Sequence, residues 1–227
     1  EVHRDNRSGV FLDALHFRNK EEGVAVGDPI DGSFILLHTP DGGRRWFNHP
    51  ARYPAPASGE AFFAASGGNI VCLKKSPPLF VSGGKASRIF YAGQAFDLPL
   101  KQGETSTGAN AIALKHPNRK RGGRHWVVVG GDFSKATDRE GNCAYTRDGG
   151  ASWQQSEVAP LGYRSGVCFV RGNKLAACGI SGVDISRDGG RTWTNISTTG
   201  YHVVQKAKSG RAVYLAGGNG RIGKLIW

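Results

Sequence analysis

The sequence predicts an all-β fold, and within that class a β-propeller of four-stranded antiparallel blades. A polar turn occurs three times, as TPDGGRRW at 39–46, TRDGGASW at 146–153 and SRDGGRTW at 186–193. Asp148 and Asp188 are 40 residues apart, which is the length of one propeller blade. The chain also has 34 glycines among its 227 residues, and they separate short apolar runs as turns separate strands.

Five units of about this length follow one another. The first four each contain four apolar runs, beginning with GVFLDALHF, GEAFFAASGGNIVCL, GANAIALKHP and YRSGVCFVRG, and the fifth contains only YHVVQKAKSG, AVYLAGGNG and RIGKLIW. Gly, Asp or Pro joins each run to the next, so each unit is expected to fold as an antiparallel meander. A two-sheet sandwich, the main alternative, does not explain the repeat. We therefore expect one propeller domain over residues 1–227, with five visible blades.

The repeated turn is expected to fasten each blade rather than to bind a ligand. Its aspartate is suited to accept backbone N–H bonds, its glycine pair to adopt positive φ, and its tryptophan to pack between blades. The residues assigned to this structural role are Asp41, Asp148, Asp188, Trp46, Trp153 and Trp193.

Geometry places the candidate ligand site at the other end of the ring. Successive turns of a meander alternate between the two ends of the sheet, so the Asp turns lie opposite the starts of the inner strands. A polar residue near each inner-strand start, or in a loop after a second strand, gives the candidate ligand-binding set: Asp13, Glu60, Asn110, Arg164, His202, Asp28 and Asp132. Carboxylates, an amide, a guanidinium and an imidazole at one channel mouth suit polar ligand binding or acid/base chemistry. The alternative is that they only satisfy one another.

Charge and motifs exclude several other functions. The formal net charge is +12, but the basic residues are scattered along the sequence and cluster only in KHPNRKRGGRH at 115–125. Since no recognition helix or zinc-finger spacing accompanies them, no nucleic-acid partner is expected. GGNGRIG contains G-x-G-x-x-G, yet no helix can follow it, so no dinucleotide cofactor is predicted.

The four cysteines predict neither a metal site nor a dithiol centre. Cys72, Cys143, Cys168 and Cys178 form no C-x-x-C pair. A disulfide between Cys168 and Cys178 stays open, because one residue of register decides whether they share a sheet face. No apolar run reaches 18 residues, so no transmembrane segment is predicted, and we expect a monomer without cofactors.

Longer motifs carry a family resemblance. The repeated turns resemble the Asp-box, or BNR, repeats of sialidases and of many non-enzymatic propellers, although the copy at 39–46 departs from the pattern at Arg45. The segments SGEAFFAASGGNI, STGANAIAL and GGNGRIGKL are similar to exported bacterial relatives of the photosystem II stability/assembly factor. The resemblance implies a seven-bladed propeller outside the cytoplasm, periplasmic, outer-surface or secreted. Either two N-terminal blades are missing, or five blades close with EVHR as the outer strand of the last.

Two functions are then in competition. The first is a non-catalytic binding or assembly propeller of the bacterial cell envelope that holds a peptide, protein or glycan at the channel mouth. The second is a sialidase-like glycan hydrolase or lyase, using Asp13 and Glu60 as an acid/base pair. The sialidase arginine triad cannot be filled from matching positions, since the inner-strand series offers only Arg164. The first function is preferred, and an oxidoreductase is not expected.

Overall fold

The computed structural model describes residues 1–49, 52–74, 76–119 and 122–226. Within those ranges the regular structure is 21 β-strands, without an α-helix, and every paired strand is antiparallel to its neighbour in the sheet. The strands form five sheets. The predicted all-β architecture of antiparallel blades is confirmed.

The first two blades are four-stranded sheets. The first contains β1 (Leu12–Phe17), β2 (Gly23–Ile30), β3 (Ser33–Thr39) and β4 (Phe47–Asn48). The second contains β6 (Ile70–Val71), β7 (Leu79–Val81), β9 (Arg88–Tyr91) and β10 (Gln94–Asp97).

The remaining three blades complete the series. The third contains β11 (Thr107–Leu114), β12 (Trp126–Asp132), β13 (Cys143–Thr146) and β14 (Gln154–Gln155). The fourth contains β15 (Gly166–Arg171), β16 (Lys174–Gly179), β17 (Gly182–Ser186) and β18 (Thr194–Ser197). The fifth contains β19 (Val203–Lys206), β20 (Val213–Ala216) and β21 (Ile222–Leu225).

Two short strands extend the third sheet beyond its predicted four strands. β8 (Gly83–Gly84) pairs with β11, and β5 (Glu60–Ala61) pairs with β8, so this sheet has six strands. The backbones approach so closely that a Cβ on Gly108 would lie 2.4 Å from the Cα of Gly83. Glycine is therefore required at this crossing, which ties the second and third blades together.

Apolar layers join consecutive blades. Strand alternation turns Val24 and Val26 toward the second blade, where they meet Phe62, Phe80 and other apolar residues. Three further layers join the second blade to the third, the third to the fourth and the fourth to the fifth. The inner strands β1, β6, β11, β15 and β19 line a central channel of about 580 Å³.

The junction between the fifth blade and the first is different. No apolar core cluster of the described residues combines residues of β19–β21 with residues of β1–β4. The closure by EVHR is wrong, because residues 1–4 form no strand and the fifth sheet has three strands. Val2 and His3 instead line a cavity on the outward face of the first blade together with Leu37 and Trp46.

The three Asp turns (residues 39–46, 146–153 and 186–193) share one hydrogen-bond pattern. In the third, Ser186 Oγ donates to Asp188 Oδ1 at 2.9 Å, and Thr192 donates from its backbone N at 3.0 Å and from its hydroxyl to Oδ2 at 2.6 Å. Gly189 and Gly190 have φ of 85° and 94°, as the turn requires. Every carboxylate oxygen is engaged inside the turn, which supports a structural role.

The tryptophans of these turns reinforce blade packing. Trp193 is buried in the layer between the third and fourth blades, and Trp153 packs against the layer between the second and third. Trp46 lies on the outward face of the first blade, edge-on to Phe17.

All four cysteines are free. Cys168 lies opposite Ala176 and Cys178 lies opposite Gly166, so the two are not cross-strand partners. The register puts the two thiols on one face of the sheet but two residues out of alignment, and neither forms a disulfide.

Candidate functional site

A pocket of about 410 Å³ lies at the predicted end of the channel. Its walls include Phe11, Asp13, Asp28, Phe133, Tyr163 and His202. These residues come from the starts of inner strands and from the ends of second strands, which the meander brings to one end of the ring. We call this cavity the mouth pocket.

β-Bulges place three of the polar side chains at this end. The register shifts between Leu12 and Ala14, between Gly27 and Pro29, and between Ala109 and Ala111. The extra residues are Asp13, Asp28 and Asn110. A bulged residue is released from strict alternation and its side chain is re-aimed, a device that recurs beside functional sites.

Asp13 is the most perturbed acid of the mouth pocket. The side chain is buried, and its Oδ2 has no hydrogen-bond partner within the described residues. Burial, and then the negative charge of Asp28, raise the pKa of Asp13 to about 7. Asp13 therefore changes charge near neutral pH and presents an unsatisfied acceptor.

Asp28 and His202 complete the polar part of the pocket. Asp28 is half-buried, and its Oδ1 accepts a bond from Phe62 N at 2.8 Å. The backbone of His202 is fixed by two bonds, from its N to Ala216 O at 2.8 Å and from Ser165 Oγ to its carbonyl at 2.7 Å. The rim is thus held rigidly on the ends of strands.

Aromatic and aliphatic side chains form the remaining wall. Phe11, Phe133 and Ile180 are 54%, 43% and 43% exposed, which is unusual for such large apolar groups when they share one cavity. Phe63 and Tyr163 each pack edge-on against Phe133, with ring centroids 5.4 and 6.2 Å from it. The pocket therefore combines a fixed apolar wall with two neighbouring carboxyl groups.

Asn110 lies behind this wall rather than in it. It is fully buried, and its Nδ2 donates to the hydroxyl of Tyr163 at 2.7 Å. Asn110 therefore acts on the pocket through the position of the Tyr163 ring.

Glu60 does not line the mouth pocket. Its buried carboxylate forms an ion pair with Arg88, accepts a bond from the Ser82 hydroxyl, and accepts another from Ala57 N at 2.7 Å. Because every oxygen is engaged, Glu60 ties β5 of the third sheet to β9 of the second blade, and the Asp13–Glu60 pair is not available for acid/base chemistry.

Arg164 is likewise neutralised inside the protein. It is fully buried in an ion pair with Asp184, and its Nη1 donates to Tyr163 O and to Ser181 Oγ, both at 2.8 Å. These bonds join the segment before β15 to the turn between β16 and β17. The guanidinium is thus directed into the fourth blade.

Asp132 also turns inward. It is buried at the end of β12, and its Oδ1 accepts bonds from Ser134 N at 2.9 Å and from the Ser134 hydroxyl at 2.7 Å. Burial alone would raise the pKa of this carboxyl, but the serine hydrogen bonds outweigh burial and hold it below the ordinary value. Asp132 therefore shapes the loop that presents Phe133.

The sequence pointed to polar residues and missed the apolar wall. Phe133 directly follows the GGD motif and Tyr163 directly precedes Arg164, so proximity to predicted positions was the available signal. Arg88 and Asp184, the partners of Glu60 and Arg164, had no such signal. In the described part of the chain no cluster of three or more His, Cys, Asp or Glu is arranged to hold a metal.

Comparison with known proteins supports the fold. No family model matches the chain, and no curated protein matches it. YCF48 bound to a D1 peptide is similar, with a TM-score of 0.56 and 13% identity over 99% of this chain and 69% of that one. A gluconolactonase from Xanthomonas campestris has a TM-score of 0.56 and 12% identity over 92% of this chain and 69% of its own.

An ancestral GH74 enzyme gives the same TM-score of 0.56, with 13% identity over 90% of this chain. The match covers 27% of that enzyme, so the present chain spans about a quarter of its length. The chain is therefore a β-propeller whose structural neighbours include both a peptide-bound protein and enzymes. Among the described residues, no helix is long and apolar enough to cross a membrane.

Proposed function

We propose that the protein is a non-catalytic binding propeller that holds a peptide at the mouth pocket. The observation that carries the proposal is the buried, unpartnered Oδ2 of Asp13 beside an exposed apolar wall. A buried acceptor without a donor is costly, and a ligand that supplies the donor removes the cost. YCF48 has been solved with a D1 peptide, which supports peptide binding as a use of this fold.

The pocket's chemistry indicates the kind of peptide. Asp13 and Asp28 favour a ligand that brings an amino or guanidinium group, while Phe11 and Phe133 favour an adjacent aromatic or aliphatic side chain. A glycan would use hydroxyl donors and stack a sugar face on the same rings. We prefer a peptide, because two neighbouring carboxyl groups bind a cationic group more strongly than a hydroxyl group.

The experiment is a selection from randomised peptides followed by affinity measurements. We expect enrichment of Lys or Arg next to an apolar residue. For the best peptide at pH 8, Asp13→Asn should raise Kd at least tenfold, since losing a bond to a charged group costs about 1.5–3 kcal/mol and each 1.4 kcal/mol is a factor of ten. Glu104→Gln, an exposed acid at the same end of the ring but outside the pocket, is the matched control.

Two results count against the proposal. One is a selection that enriches no sequence over the starting library, and the other is an unchanged Kd in the Asp13→Asn variant. Binding of a glycan on an array that is lost in the Asp13→Asn variant would show that the site is correct and that its ligand is a glycan.

The second candidate is a glycan hydrolase that uses Asp13 and Asp28. It is favoured by one observation, the pKa of about 7 at Asp13 beside a second carboxyl group, since a general acid works best near the ambient pH. Here Asp28 has the acid/base role that the sequence analysis predicted for Glu60. Reporter glycosides should be cleaved by the wild type and not by Asp13→Asn; absence of turnover with any sugar removes this candidate.

A location in the bacterial cell envelope belongs to the first proposal. It rests only on the resemblance of the long motifs to exported propellers. Fractionation of the source cells, with detection by antibody, should find the protein outside the cytoplasm; a wholly cytoplasmic protein would contradict it.

A further inference from the structure

The positive charge of the protein is gathered at the end of the ring opposite the mouth pocket. Connectors that follow the first and third strands of each blade meet there, with the strand ends that flank them. They are residues 18–22, 40–46, 72–78, 92–93, 115–125, 147–153, 171–174, 187–193 and 206–212. In their described part these segments contain sixteen Lys and Arg, but only five of the protein's 18 Asp and Glu. Basic residues that are scattered in the sequence are therefore collected by the fold.

Most of this charge is open to solvent and unopposed. Fourteen of the sixteen basic residues are exposed. Three of the five acids, including Asp188, are held inside the Asp turns. Arg124, Arg187 and Lys208, which come from three different blades, form no ion pair within the described residues. The charges are therefore available to an external partner.

A groove on this basic end brings several positive charges close together. It has a volume of about 1300 Å³, and its walls include Lys115, His116, Arg119, Arg124 and Phe96. Burial, and then the charges of Arg119 and Lys115, lower the pKa of His116. Like charges thus act on one another at this surface, and an anionic partner would relieve their repulsion.

The distribution favours a broad, flat partner. Every one of the five blades contributes basic residues to this end, so a planar anionic surface meets all of them at once, whereas a peptide or a nucleic-acid strand follows one groove. Phe47 and Phe96, on the outer strands, are 45% and 43% exposed, and exposed Phe beside Lys and Arg is typical of segments that lie in the headgroup boundary of a bilayer.

We propose that the basic end of the propeller docks on a membrane surface rich in anionic phospholipid headgroups. The attraction is electrostatic, since clustered Lys and Arg bind to anionic leaflets and lose that attraction beyond a Debye length. Docked in this way, the protein directs its mouth pocket away from the bilayer, toward other molecules.

Vesicle co-sedimentation tests the proposal. The protein is mixed with vesicles of equal phosphatidylglycerol and phosphatidylcholine, or of phosphatidylcholine alone, at 100 and 500 mM NaCl. We expect at least tenfold stronger partition onto the phosphatidylglycerol vesicles at the lower salt and loss of that preference at the higher salt.

A matched pair of charge-reversal variants distinguishes binding through the basic end from a general effect of the protein's net charge. Arg124→Glu, Arg187→Glu and Lys208→Glu together should weaken partition at least tenfold. Lys85→Glu, Lys135→Glu and Arg139→Glu change the net charge equally from exposed positions near the mouth-pocket end, and should weaken it less than twofold. Thermal melting verifies that each variant is folded, and glutamine versions replace any that are not.

Three outcomes would overturn the proposal. The first is equal partition onto both kinds of vesicle, and the second is equal loss in both triple variants. The third is tighter binding to single-stranded DNA or to polyglutamate than to phosphatidylglycerol vesicles at the same salt, which would indicate a different polyanion.

Discussion

Replacing Arg164 by methionine is expected to destabilise the protein without acting on the ligand directly. The guanidinium is fully buried and paired with Asp184, which is itself 1% exposed. Its removal leaves a buried carboxylate without its cation and also frees the acceptors Tyr163 O and Ser181 Oγ. Breaking a buried pair from one side costs about 3–5 kcal/mol. Typical domains have only about 5–15 kcal/mol of stability, so the loss is large.

Urea titration and thermal melting measure the cost. For a chain of this length, about 1 kcal/mol corresponds to roughly 2–4 °C of Tm, so Arg164→Met should lower Tm by roughly 6–20 °C. Arg187→Met is the control, because that exposed side chain forms no ion pair within the described residues and its loss should stay within about 0.5 kcal/mol.

A double variant tests whether the loss of stability comes from the unpaired charge of Asp184. Arg164→Met with Asp184→Leu removes both charges, and apolar replacement of a whole buried pair is often neutral, so at least half of the lost stability should return. An Arg164→Met variant that keeps its melting temperature but loses peptide binding would refute the structural role and make Arg164 a ligand residue.

Three other predictions concern acids. Asp188→Ala removes the hydrogen bonds from Ser186 and Thr192, so it should cost about 1–2 kcal/mol in urea titration and leave peptide affinity unchanged. Lost affinity at unchanged stability would mean that the peptide binds at the end of the ring that carries the Asp turns. Hydrogen bonds from Ser152 lower the pKa of Asp148 to about 2, so the contribution of Asp148 to folding stability is complete above about pH 4 and is lost toward pH 2. Asp148→Asn should make the stability depend less on pH in that range, and an unchanged pH profile would contradict this. The pKa of Asp13 is raised to about 7, so the folded state loses stability as the pH rises from about 4 to 7. Asp13→Asn should therefore be more stable than the wild type by about 1–3 kcal/mol at pH 8 and equally stable near pH 4. A variant less stable than the wild type at pH 8 would show that burial does not raise this pKa.

The blades were predictable because their signals are local. Alternating apolar runs, Gly-rich turns and the 40-residue spacing between Asp148 and Asp188 each lie within one unit, and a meander needs no long-range partner to be recognised. The same locality explains the Asp turns, whose donors and acceptors are within four residues of the aspartate.

The site was predicted less completely, because its contacts are distant in sequence. Arg88 lies 28 residues from Glu60, and Asp184 lies 20 residues from Arg164, so nothing local shows that the two candidates are already paired. The bulge at Asp13 depends on register with β2, which a single sequence does not reveal. The charge of the basic end could have been found by assigning each connector to an end of the ring before counting.

A crystal structure with the best selected peptide shows directly whether the mouth pocket is the binding site. We expect an N–H donor of the peptide within hydrogen-bond distance of Asp13 Oδ2, and an apolar side chain of the peptide against Phe133. A peptide bound at the basic end, or anywhere that leaves the mouth pocket free of peptide, would contradict it.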